Sequence, residues 1–95
     1  MVIYEVNIQI NPDIQNKFLS WLNSHAKQML KFDGFEKYII YRNKGEDCSF
    51  SIHYHVNSIA QFEDYINNHS SNMREKGQEE FKSQMTINRK VLLKL

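Results

Sequence analysis

The chain has 95 residues, a formal net charge of +1, 41% hydrophobic and 24% charged residues. A length of this order holds one domain, and the near-neutral charge argues against a dedicated nucleic-acid binder, which needs a concentrated basic face. No apolar run is long enough for a membrane helix, no secretory leader opens the sequence, and the lone Cys48 has no disulfide partner, which together predict a cytoplasmic protein.

Val2, Tyr4, Val6, Ile8 and Ile10 alternate with Ile3, Glu5, Asn7 and Gln9, which predicts a strand with one oily and one polar side. Asn11, Pro12 and Asp13 then read as an N-cap, a first-turn proline and an acid complementing the helix dipole. Ile14, Phe18, Trp21, Leu22, His25 and Met29 recur by threes and fours, so a helix turns this stripe toward a core, and Asp33-Gly34 ends it.

Phe35 to Arg42 predicts a second strand with mixed faces: Phe35, Lys37, Ile39 and Tyr41 on one, Glu36, Tyr38, Ile40 and Arg42 on the other. A polar hairpin loop, Asn43 to Asp47, leads to the cleanest alternation in the chain. Phe50, Ile52, Tyr54 and Val56 point one way, and Ser49, Ser51, His53 and His55 the other. Ser58 and Gln61 fit a capping box for a helix through Ile59, Phe62 and Ile66. Ser70-Ser71-Asn72 interrupts it, and Asn72 with Glu75 is placed to cap a second segment through Met73, Gly77 and Phe81. Met85, Ile87, Val91 and Leu93 alternate into a fourth strand.

The order β-α-β-β-α-β is the ferredoxin-like arrangement, an α+β fold. Short loops and right-handed crossovers predict a four-stranded antiparallel sheet of order 4-1-3-2 with the helices on one face. The other face would then carry Glu5, Asn7, His53 and His55, together with Ile3, Leu92 and, on one reading of the second strand, Tyr38. Apolar residues and rings among polar ones favour a face packed against a second subunit, that is, a homodimer enclosing space for a small ligand.

Met1 to Val6, Trp21-Leu22-x-x-His25, Gly34-Phe35, Tyr54, Tyr65, His69, Gly77, Phe81 and Arg89 to Leu92 resemble a family of small bacterial proteins. That family is known only as a domain of unknown function with the dimeric α+β barrel fold. The resemblance spans nearly the whole chain; Ser70 stands where it leads one to expect proline, and Lys90 where a second arginine is usual. It implies a fold and a dimer, and no activity.

The candidate ligand-binding residues are Glu5, Asn7, Tyr38, His53, His55 and Arg89. His53-x-His55, completed by Glu5 or Asn7, has the donor types of a metal site, but the spacing is common and histidines on a solvated or interface face fit it as well. Arg89 falls on the oily side of its strand and calls for a partner, with an ion pair to Glu5 or, through a bulge, a place beside it as the options. His25 reads as a hydrogen-bonded histidine at the core edge, with a pocket residue as the sharper option. Asn7, Trp21 and His69 are the residue types of haem-degrading monooxygenases of the same barrel fold, but Trp21 stands too early in the chain. An RNA-recognition surface would need open-face aromatics, whereas Phe50 and Tyr54 share a side with Ile52 and Val56. Cys48 beside Glu46 and Asp47 is an unpromising nucleophile, and no phosphate-binding glycine loop or cofactor motif is present. These observations favour a binding or structural module, with a cofactor-independent monooxygenase- or isomerase-like enzyme as the alternative.

Overall fold

The computed structural model describes every residue from Met1 to Leu95. Strand β1 (Val2–Ile10) leads through a short 3-10 turn into helix α1 (Gln15–Met29). Strands β2 (Phe35–Arg42) and β3 (Ser49–Val56) form a hairpin, helices α2 (Ile59–Asn68) and α3 (Ser70–Phe81) follow, and strand β4 (Met85–Leu93) closes the chain. The sheet order is β2-β3-β1-β4, all antiparallel, which is the predicted order read from the other edge.

The alternation of β1 and β3 is satisfied in register. Tyr4 faces Tyr54, Val6 faces Ile52 and Ile8 faces Phe50, so the oily residues form one continuous surface. Phe18, Leu22, Ala26 and Met29 of α1 lie buried against it, as do Phe62 and Tyr65 of α2 and Met73 and Phe81 of α3. Phe18 is fully enclosed, and its ring meets Phe81 edge-on at 5.4 Å. Removing a ring so placed costs about 3–5 kcal/mol, because the transfer and cavity terms add.

The helix boundaries follow the local chemistry with two exceptions. Asn11 caps as expected, its side chain accepting from the Asp13 amide at 3.0 Å. Gly34 takes φ +85° in the turn before β2, and a side chain there would strike Gln61. The Ser58 hydroxyl accepts from the Gln61 amide at 3.2 Å, but it donates to the Gln61 side chain at 3.1 Å, so only half of a capping box forms. The break between α2 and α3 falls at His69, and α3 starts at Ser70 with no side-chain cap. Asn72 is therefore inside the helix and caps nothing. The Ser70 hydroxyl instead donates to the Ile66 carbonyl at 2.7 Å.

Strand β2 departs from simple alternation. Phe35 faces Val56 and Lys37 faces His55, so a bulge at Glu36 places two residues opposite one. Beyond it Tyr38 faces Tyr54 and Ile40 faces Ile52, on the helix side with Phe35, while Lys37, Ile39 and Tyr41 turn to the open side. The bulge parts Phe35 from Lys37, Ile39 and Tyr41, which stay together as expected, and puts it on the helix side with Tyr38 and Ile40, so Tyr38 is off the open face.

Candidate functional site

Two sites follow from this sheet, one on each face. On the open face, Glu5 stands between His53 of β3 and Lys90 of β4. His53 Nε2 lies 2.8 Å from Glu5 Oε1, and Lys90 Nζ 3.3 Å from Glu5 Oε2. Asn7 donates to Glu5 Oε2 at 2.9 Å, and Asn7 Oδ1 in turn accepts from the Ser51 hydroxyl. The Asn7 hydrogen bond, followed by those from His53 and Lys90, holds the Glu5 carboxyl below its ordinary range, against a smaller opposing effect of burial. His55, next along β3, has its Nδ1 buried with no partner in the chain, and burial lowers its pKa, with Lys37 and His53 adding to the effect.

The structure thus brings Glu5, Asn7, His53 and His55 onto one face. It places Tyr38 and Arg89 on the other. Arg89 faces Val6 in an unbroken β4 register, so the option of a bulge is not realised and Glu5 pairs with Lys90 instead. The reason is the two-residue period of a strand: neighbours Arg89 and Lys90 must point to opposite sides. No three His, Cys, Asp or Glu side chains gather into a group able to hold a metal ion. Glu5 is engaged by His53, Asn7 and Lys90.

On the helix side a cavity opens between α1, α3 and the β1–β4 half of the sheet. Within it the centre of a water-sized molecule is free to move over about 50 Å³. Its walls are mostly apolar, with Tyr4, Val6, Ile8, Trp21, Met73 and Ile87 among them, and its polar groups are His25, Arg74 and Arg89 with the tyrosine hydroxyls. His25 stacks on Trp21 with ring centroids 4.6 Å apart and 16° between planes. Burial lowers its pKa to about 4, with the charges of Lys76 and Arg89 adding to the effect, so the imidazole is neutral at pH 7. Burial likewise pushes the Tyr54 and Tyr65 hydroxyls far above their ordinary range. Arg74 donates to the Tyr4 hydroxyl at 3.5 Å. Gly77 lets α3 close over this space, because a Cβ there would come within 3.1 Å of Trp21 and 3.3 Å of Met85.

The sharper option for His25, a pocket residue between helix and sheet, is the one the geometry places. The cavity as a whole arises only where separate elements meet, which no single element's pattern records. Its two available signals were the lone Arg89 on an oily strand face and His25 one helical turn from Trp21.

A family model described as a domain of unknown function, DUF4286, matches residues 1–95. The chain belongs to the DUF4286 family. No curated protein of known function matches it. This DUF4286 chain is similar in structure to SnoaB, a cofactor-independent oxygenase from Streptomyces nogalater, at TM-score 0.78 and 12% identity over 99% of this chain and 92% of that one. It is also similar to the heme-degrader MhuD from Mycobacterium tuberculosis, whose structure holds two hemes in its active site, at TM-score 0.72 and 12% identity over 100% and 99% of the two chains. A conserved protein from Methanosarcina mazei gives TM-score 0.71 at 18% identity over 100% and 94%. At such identities the likeness establishes the fold alone: this chain has a ferredoxin-like α+β fold. No helix of the chain is long and apolar enough to cross a membrane.

Proposed function

We propose that the protein is a cytoplasmic homodimer whose subunits each bind a small, largely apolar molecule in the helix-side cavity. The observation that carries this reading is the cavity itself: apolar walls with a few convergent polar groups are the usual form of a small-molecule site. The open face supports the dimer. It carries exposed Ile39, Tyr41 and Leu92 around a polar centre, and the unpartnered Nδ1 of His55 is a group that a second subunit's face would meet. The free Cys48 suits a reducing compartment. The ligand reading moves to the helix side because Glu5, Asn7, Ser51 and His53 already satisfy one another across the open face.

Phenol tests the cavity, with the emission of Trp21, the only tryptophan, as the readout. Saturable change at one phenol per chain is expected; emission and amide spectra that do not move up to millimolar phenol sink the reading. Sedimentation tests the assembly, and a monomer at micromolar concentration removes the dimer.

The second reading is a cofactor-independent oxygenase or isomerase, and neutral His25 on the cavity wall favours it. The imidazole is unprotonated at pH 7 and can orient a phenol or enol by accepting its hydrogen bond, but with a pKa of about 4 it is too weak a base to take the proton outright. The readout is oxygen uptake with hydroquinone: a rate above buffer that is lost in His25→Ala supports an oxygenase, and no uptake leaves binding alone.

A further inference from the structure

The cavity has an unbalanced charge. Arg74 reaches its wall from α3 and Arg89 from β4, and no aspartate or glutamate is among its lining residues. The ion pairs of the molecule are Lys17 with Glu80, His53 with Glu5, His69 with Asp64 and Lys90 with Glu5, so neither arginine is neutralised within the chain. Arg74 has only the Tyr4 hydroxyl, at 3.5 Å. The imbalance is local, since the whole chain carries a formal charge of only +1. His25 on the same wall is kept neutral first by burial and then by the nearby charges of Lys76 and Arg89.

Guanidinium groups beside apolar walls suit a carboxylate attached to a ring, because the planar fork matches a carboxylate; both arginines are exposed, so the carboxylate sits at the mouth of the cavity and the ring inside it. Size narrows the choice further. The centre of a water-sized molecule has about 50 Å³ to move in, which suits a compact ligand on the scale of one ring.

Resting on the reading of this cavity as a ligand site, we propose that it selects a single-ring organic carboxylate. The ring lies along the wall that includes Trp21, and the carboxylate is held by Arg89 and Arg74.

Benzoate and benzamide are nearly the same shape and differ in charge, so comparing them isolates the inference. Binding is read by Trp21 emission in the intact protein. Benzoate is expected to bind about tenfold tighter or more than benzamide, the effect of one charge-assisted hydrogen bond, and its affinity falls with added salt. Arg89→Gln, which breaks no ion pair of the chain, is expected to bring the two affinities within about twofold. Equal binding of the two by the unaltered protein overturns the carboxylate inference and leaves the cavity reading standing. A preference for benzoate that survives both Arg89→Gln and Arg74→Gln also overturns it. Binding of neither removes the ligand site, and this inference with it.

Discussion

His53 Nε2 sits 2.8 Å from Glu5 Oε1 across the β1–β3 pair, directly opposite in register, and Lys90 reaches the same carboxylate from the other flank. One acid on the central strand therefore ties three of the four strands on the open face. Glu5→Gln is expected to cost about 1 kcal/mol at pH 7 in urea unfolding. Because the folded Glu5 pKa lies below the ordinary 4.5, its contribution is present above that value and is lost as pH falls through the folded value. The variant and the parent should converge in acid; a gap that persists there contradicts the ion-pair account.

His25 sets a second pH dependence, in a higher window. Its pKa is near 6.5 unfolded and about 4 folded, so the unfolded chain binds the extra proton between these values. Stability should fall by about 1–2 kcal/mol from pH 7 to pH 5, after allowance for the partial exposure of the ring. His25→Gln should flatten that part of the curve. Urea midpoints at the two pH values give the comparison.

Lys82, just after α3, takes φ +48° and ψ −124°, a region costly for a residue with a Cβ. Lys82→Gly relieves that strain and should stabilise the fold by about 1 kcal/mol, raising the melting temperature by roughly 4–8 °C. A lower melting temperature would mean that the Lys82 side chain contributes more than its backbone costs.

Gly77 permits the close approach of α3 to Trp21. Gly77→Ala gains up to about 1 kcal/mol of helix propensity but places a methyl 3.1 Å from the indole, so its net effect should be small. Gly77→Val has no such balance and should destabilise by about 1–3 kcal/mol through overpacking, with a shift in Trp21 emission. Thermal melts of the two variants decide this.

The strands, the first helix and the sheet order were legible because residues such as Tyr4, Ile52 and Tyr54 obey a two-residue period and Phe18 and Leu22 a helical one. What escaped were events that a period does not record. The bulge at Glu36 inserts one residue and moves Tyr38 to the helix side, and nothing in Phe35-Glu36-Lys37 marks it. The break at His69 was placed within three residues, but its cap was assigned to Asn72, whereas the Ser70 hydroxyl turns back to the preceding helix. On the open face, the meeting of Glu5 and His53 depends on strand register, which hairpin length fixes only indirectly. The cavity depends on separate elements converging, and only Arg89 on an oily strand face and His25 on the helix stripe hinted at it.

The interruption at His69 also divides the helical cover into two units of unequal tenacity. The amide of His69 closes the last turn of α2 on Tyr65, and its carbonyl opens the first turn of α3 by accepting from Met73. Segment α3 can thus unwind from that point without unravelling α2, and it is held down mainly by Met73, Gly77 and Phe81 on an otherwise polar helix. In hydrogen exchange the amides of α3 should be the first of the three helices to take up deuterium, through an opening smaller than global unfolding. The roof of the cavity is then the least protected part of its wall, and traffic in and out would pass beneath α3.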